Sequence, residues 1–249
     1  MGIKKQGFRL LIFGLVLLVL MLSGCPIPET GTGTEMQGEN QEEADARAAL
    51  NGSVKQVACG AIFNLIVKSD GTLWAVGRNN YGQLGTGDVS DRSVLVQVPY
   101  MSNVKAVACG AEFSLVLLND GTVYAAGNNS VGQLGTGDTR TRYSFVQVAS
   151  GISAIAAGVV HSLAVKNDGT LWVTGFNRYG QLGTGNDVDR SSFVMVASGV
   201  TAVSGGSQHS LALKNDGTLW ATGENSTGEL GNGDIIRRHI FVQVATSVK

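Results

Sequence analysis

The string GQLGTGD at 82–88 returns as GQLGTGD at 132–138, GQLGTGN at 180–186 and GELGNGD at 228–234. The copies are spaced by 50, 48 and 48 residues, so the chain is one unit used four times. A repeat of this length restricts the fold to arrays in which each unit buries its apolar face against a neighbour. The same feature disposes of the first chemical reading of the string. Gly82 to Gly87 meet the first half of a phosphate-binding loop, but that loop needs lysine next and this chain has Asp88, which repels phosphate. Four near-copies at even spacing read as architecture, not as one nucleotide site.

The units run over 53–101, 103–151, 152–199 and 200–249, and each has the same inner order. A short apolar segment such as VKQVACG (54–60) is followed by an alternating one such as FNLIVKS (63–69). Then come Asp-Gly, a segment such as TLWAVG (72–77), the Gly-Gln-Leu-Gly loop, and a last apolar segment such as VLVQV (94–98). Alternation with β-branched residues marks strands rather than helices. The pairs Asp70-Gly71, Asp120-Gly121, Asp168-Gly169 and Asp216-Gly217 predict two-residue type I′ hairpin turns, which need positive φ twice. Each unit is therefore a four-stranded antiparallel sheet, and the class is all-β: β-propeller blades.

The pattern G-x-N-x-x-G-Q-L-G-x-G is carried by Gly175, Asn177, Gly180, Gln181, Leu182, Gly183 and Gly185, with His161-Ser162-Leu163 and D-G-T-L-W upstream. In this respect the chain resembles the regulator of chromosome condensation repeat family. The signature recurs as Gly82, Gln83, Leu84 and Gly85, as Gly132, Gln133, Leu134 and Gly135, and as Gly228, Glu229, Leu230 and Gly231. The resemblance covers roughly 53–249 and implies a seven-bladed propeller, of which four blades are present. A partial or open propeller is expected. Ser247-Val248-Lys249 repeats Ser53-Val54-Lys55, as though a further unit were beginning. Three arrangements stay open: a piece of a longer propeller, which we prefer, two chains closing an eight-bladed ring, or four blades closing alone. The chain departs from the family before the last strand of each unit, where proline is often found and Leu95, Phe145, Phe193 and Phe241 stand here. Tighter apolar packing is expected there.

The recurrent polar residues read as structure. Glycines of the loop supply positive φ and close approach between blades. Asp88 precedes Arg92 by four residues, as Asp138 precedes Arg142 and Asp234 precedes Arg238, with Asn186 and Arg190 in the third unit. This spacing predicts a pin within the loop rather than an acid catalyst or a cation site. His161 and His209 occupy the position of Phe63 and Phe113, so packing is their expected role, with the ring bonding a neighbouring backbone. His239 stands apart, and no converging set of zinc ligands is visible. Trp74, Tyr124, Trp172 and Trp220 share one slot and read as packing aromatics. Cys59 and Cys109 sit in a slot that holds Ala157 and Gly205 elsewhere, which predicts small buried side chains rather than a disulfide or metal pair. No nucleophile elbow, metalloprotease helix or Cys–His pair suited to catalysis is found, and no cofactor or metal is expected.

Recognition belongs where the copies differ on an exposed loop held by a rigid frame. The loop before each GQLG keeps one asparagine, Asn79, Asn129, Asn177 or Asn225, and varies around it. Aromatic and Arg side chains carry most interface energy, which selects Arg78, Tyr81, Phe176, Arg178 and Tyr179 as candidate binding residues.

The N-terminus sets the compartment. Lys4, Lys5 and Arg9 precede the apolar run Leu10–Leu22, too brief for a comfortable membrane span and shaped like an export signal. Leu22-Ser23-Gly24-Cys25 resembles a bacterial lipobox, which implies that residues 1–24 are removed and that Cys25 carries lipid. Residues 25–52 are polar and acidic and read as a flexible tether. The formal net charge of −1, without a basic stripe, argues against nucleic acid. The expected function is that of a non-enzymatic, lipid-anchored protein that binds an unidentified protein at the cell envelope. The family resemblance implies two alternatives: guanine nucleotide exchange on a small GTPase, or inhibition of an extracytoplasmic enzyme such as a β-lactamase. A glycan-active enzyme is the least favoured reading.

Overall fold

A computed structural model of the chain describes residues 51–246. The export signal, Cys25, most of the tether and Ser247–Lys249 lie outside the described residues. Each unit forms one sheet. Blade one consists of β1 (Val54–Cys59), β2 (Phe63–Lys68), β3 (Leu73–Gly77) and β4 (Arg92–Gln97). Blade two has β5 (Val104–Cys109), β6 (Phe113–Leu118), β7 (Val123–Gly127) and β8 (Arg142–Ala149). Blade three has β9 (Ile152–Ala157), β10 (His161–Lys166), β11 (Leu171–Gly175) and β12 (Arg190–Ala197). Blade four has β13 (Val200–Gly205), β14 (His209–Lys214), β15 (Leu219–Gly223) and β16 (Arg238–Ala245). Every sheet is an antiparallel meander in chain order. The first strands β1, β5, β9 and β13 lie beside one another along the row.

The Asp-Gly hairpins differ from the expected type I′ turn. Gly71 has φ 82°, while among the described residues only Tyr100 and Asn103 are non-glycine residues with positive φ, so Asp70 is not left-handed. Gly71 N–H donates to the Lys68 carbonyl at 2.9 Å and Lys68 N–H to the Thr72 carbonyl at 3.0 Å. These bonds define a three-residue loop, a type I turn closed by one left-handed glycine. Asp70 acts through its carboxylate, which accepts from Thr72 N–H at 2.9 Å and Thr72 Oγ1 at 2.7 Å. The hydrogen bonds to Thr72 hold the Asp70 carboxyl below its ordinary range.

A single sheet of this size has no core of its own, and the cores lie between blades. At the first joint Phe63, Leu65, Val67, Leu73, Ala75 and Leu84 of blade one pack on Val104, Val107 and Val116 of blade two, with Phe145 at the margin. At the third, Leu163, Val165, Leu171, Val173 and Leu182 of blade three meet Val200 and Ala212 of blade four, with Phe241 at the margin. The second joint repeats the scheme with Phe113, Leu115 and Leu134 against Ile155 and Ala157. Each large apolar side chain buried in this way contributes roughly 1.5–3 kcal/mol, so the joints rather than the sheets hold the row together. Leu95, Phe145, Phe193 and Phe241 stand within the fourth strands rather than before them, and apolar packing is found there: Phe145, Phe193 and Phe241 each lie against the preceding blade's loop glycine. The described blades do not close on themselves.

Two cysteine positions depart from one another. Cys109 is half-buried with its thiol 3.7 Å from the Ala58 carbonyl of blade one, and burial pushes that thiol up to about 12. Cys59 is exposed rather than buried, because no blade precedes it in the described residues.

Candidate protein-interaction rim

The loops that join the third and fourth strands of each blade share one rim, and a buried asparagine organises each of them. Asn79 is fully buried, its side-chain oxygen accepts from Leu84 N–H at 3.0 Å, and its Nδ2 donates to Thr86 Oγ1 at 3.1 Å and to the Asp88 carbonyl at 3.0 Å. Asn129, Asn177 and Asn225 are equally buried and accept from Leu134, Leu182 and Leu230 N–H at 2.9 Å. Gln83 Oε1 accepts from Tyr81 N–H at 3.0 Å, and Gln181 Oε1 from Tyr179 N–H at 3.1 Å. One amide side chain thus satisfies backbone groups from both halves of a loop, which fixes the path without a strand ladder.

The acid–arginine spacing produces the expected pin. Arg92 Nη2 lies 2.6 Å from Asp88 and Arg142 Nη2 lies 2.8 Å from Asp138, while Arg238 pairs with Asp234. The Arg142 guanidinium, aided by Arg140 N–H, holds the Asp138 carboxyl down at about 2. In blade three the neutral Asn186 takes the same place 3.3 Å from Arg190. These are exposed or half-exposed pairs, so their worth is orientation more than stability.

Neighbouring loops and blades interlock. Gly132 has φ 80°, and a Cβ there would lie 2.4 Å from Ser191 Cα of the following blade. Ser114, Ser162 and Ser210 are fully buried and donate to the carbonyls of Gln83, Gln133 and Gln181 of the preceding blade at 2.5, 2.6 and 2.7 Å. His161 is fully buried at the third joint, with Nε2 2.9 Å from Ser210 Oγ. Because that hydroxyl gives its hydrogen to Gln181, Nε2 carries the ring proton. The histidine therefore bonds a hydroxyl, not the backbone expected from sequence. Its Nδ1 has no partner among the described residues, and burial, aided by nearby His209, pushes the imidazole down to about 4.

The candidate residues fall on two loops. Phe176, Arg178 and Tyr179 stand together in blade three, where the Phe176 and Tyr179 rings meet edge to face with centroids 6.1 Å apart. Arg178 is exposed and, with Asp187, Val188 and Asp189, lines a shallow recess of about 420 Å³. Arg78 is exposed and Tyr81 half-buried in the matching loop of blade one, and the loop of blade two lies between the two groups. No described contact joins them. The blade-three loop thus offers an aromatic pair flanked by both charge signs, on a frame that does not depend on the displayed side chains.

Three features escape a reading of the sequence. Asp91 and Asp189 accept from Asn79 and Asn177 N–H at 2.7 and 2.8 Å, a second anchor whose only trace is Asp-Arg before the last strand in two units. The serines of the F-S-L and H-S-L strings join blade to blade. Tyr100, on the opposite rim, is fully exposed with φ 61°, an unusual conformation for a bulky residue. Among the described residues, no group of three His, Cys, Asp or Glu side chains could hold a metal ion, and no helix is long and apolar enough to cross a membrane.

Comparison with known proteins agrees with this architecture. The RCC1-like domain matches residues 28–248. Among solved structures, human WBSCR16 is similar at 24% identity with a TM-score of 0.71, over 79% of this chain and 54% of that one. Yeast RCC1 (Prp20), solved bound to Kap60, is similar at 22% identity and a TM-score of 0.70, over 79% of this chain and 50% of that one. Prp20p from Saccharomyces cerevisiae, described with its binding properties to Gsp1p and histones, is similar at 21% identity and a TM-score of 0.70, over 79% and 51%. The chain spans about half the length of these structures.

Proposed function

The chain belongs to the RCC1-like domain family, and from that premise we propose that it is a non-enzymatic module that binds another protein through its loop rim at the cell envelope. The observation that carries this reading is the separation of frame from display. Asn177 and Gln181 fix the blade-three loop by hydrogen bonds to backbone groups, in which the side chains of Phe176, Arg178 and Tyr179 take no part. Rigid loops lose little entropy on binding, and aromatic and Arg side chains supply the contact energy. Protein binding by yeast RCC1, solved bound to Kap60, supports a protein partner of the same general kind. Lipid on Cys25 and an acidic tether would hold the blades at a membrane while leaving the rim free, and Lys4, Lys5, Arg9 and the apolar run support that placement.

The test is the double substitution Arg78→Ala with Tyr179→Ala, assayed for capture of envelope proteins by the purified chain. At least a tenfold loss of a discrete partner is expected, and unchanged capture sinks the rim as the binding face. A second reading has its own support in yeast Prp20p, whose described binding properties include Gsp1p. Acceleration of nucleotide release from a small GTPase by the purified chain would put exchange activity first.

A further inference from the structure

The pinned acid and arginine of each loop hold the backbone of one residue between them. In blade one, Ser90 N–H donates to Asp88 Oδ1 at 2.9 Å, and the Ser90 carbonyl accepts from Arg92 Nη1 at 2.6 Å. Arg140 is held in the same way by Asp138 at 3.0 Å and Arg142 at 2.7 Å. Val188 is held by Asn186 at 3.1 Å and Arg190 at 3.2 Å, and Ile236 by Asp234 at 2.9 Å and Arg238 at 2.6 Å. In blades three and four the buried Asn177 and Asn225 donate to the same carbonyls at 3.1 and 3.2 Å. All of these bonds are made to the backbone of the held residue, so the cradle does not select its side chain. The four equivalent positions carry Ser, Arg, Val and Ile in loops that are otherwise close copies, and all four are exposed.

The tips are also tied along the row. Gly87, Gly137 and Gly185 N–H donate to the carbonyls of Tyr143, Ser191 and His239 on the following blade at 2.9, 2.8 and 2.7 Å. The display therefore runs in a fixed order along the rim: polar, cationic, apolar, apolar. On the adjoining tips of blades three and four, Val188 is 55%, Ile235 69% and Ile236 62% exposed. Branched apolar side chains grouped in this way on a rigid backbone mark a contact surface. Arg140 forms no ion pair among the described residues, whereas Arg92, Arg142 and Arg238 each do. Aliphatic side chains offer no hydrogen bond to a sugar, and the exposed Asp187 beside Val188 repels a phosphate backbone. A protein surface fits this display.

We propose that Arg140, Val188, Ile235 and Ile236 decide which protein the rim binds. The partner presents a carboxylate towards blade two and, beside it, an apolar patch towards blades three and four. This inference rests on the rim's being a protein-binding face. Burial of the three apolar side chains holds the complex together, while Arg140 orients and speeds the encounter.

The test places a photo-reactive residue in the full chain in cells, at Arg178 or at Asp187 in separate variants. The crosslinked protein is identified by mass spectrometry, purified, and its binding to the chain followed by surface plasmon resonance. The same protein is expected from both positions. Val188→Ser with Ile236→Ser should speed dissociation at least tenfold and leave the urea unfolding midpoint unchanged. Arg140→Glu should slow association at least tenfold at low salt, a difference that shrinks at about 0.5 M salt. An adduct from Arg178 alone, or tip variants that bind as the unaltered chain does, overturns the proposal and leaves the rim standing. A loss of binding matched by a lower urea midpoint contradicts it as well, since the fold would then need those side chains. No adduct from either position overturns both the tips and the rim.

Discussion

His161 shows how one side chain can set the pH range of a joint. Buried against Ser210, the imidazole is held at about 4 against an ordinary 6.5, so the folded chain binds its proton less readily than the unfolded one. Stability is therefore complete above pH 6.5 and falls as pH drops from 6.5 towards 4. The total loss is about 3 kcal/mol, since each tenfold weakening of proton binding is worth roughly 1.4 kcal/mol. His161→Phe, which restores the residue found at Phe63 and Phe113, should flatten that segment of the profile. The check is a urea midpoint at pH 7.5 and pH 4.5 for both proteins. A wild-type loss equal to that of the variant would mean that the ring titrates elsewhere. The pinned carboxylates do not confuse the comparison, since Asp138, held at about 2 by Arg142, loses its contribution below pH 3.8.

Strands and loops are legible to different depths. Alternation in FNLIVKS and the Asp-Gly pairs locate the hairpin between the second and third strands of every blade, because both signals are local. The turn type is not legible in the same way, because the bond from Thr72 to the Asp70 carboxylate, and not a second left-handed residue, decides the geometry. The slot shared by Cys59 and Cys109 is uniform in sequence, yet burial there depends on a preceding blade that only the second cysteine has. The same limit hides Ser114, Ser162 and Ser210, whose acceptors lie about thirty residues away on another blade. Within the rim, Asn79 and its copies stand out by recurrence, whereas the recess beside Arg178 depends on how Asp187 and Asp189 fold back. The joint itself can be weighed with two glycines. Gly132→Ala meets both φ 80° and the Ser191 backbone at 2.4 Å, whereas Gly151→Ala meets φ 69° with nothing within 4 Å. We expect about 3 kcal/mol for the first and about 1 kcal/mol for the second, since overpacking adds to strain at one site only. Equal losses in thermal or urea unfolding would mean that the blades are not tightly joined there.

At the largest scale the described residues form a row of interlocked blades that offers one rim for recognition. Family membership accounts for the blades, while anchoring and partner rest on the proposal. Anchoring is checked by metabolic labelling with an alkyne fatty acid: the chain should take up label, and Cys25→Ser should abolish it. Label retained by the variant would place the lipid elsewhere. The binding claim is tested most directly by photo-crosslinking in cells, with the reactive residue placed at Arg178 on the loop rim or at Asn119 on the opposite rim. The account predicts a discrete adduct with another protein from Arg178 and none from Asn119. No adduct from Arg178, or the same adduct from both positions, would contradict it.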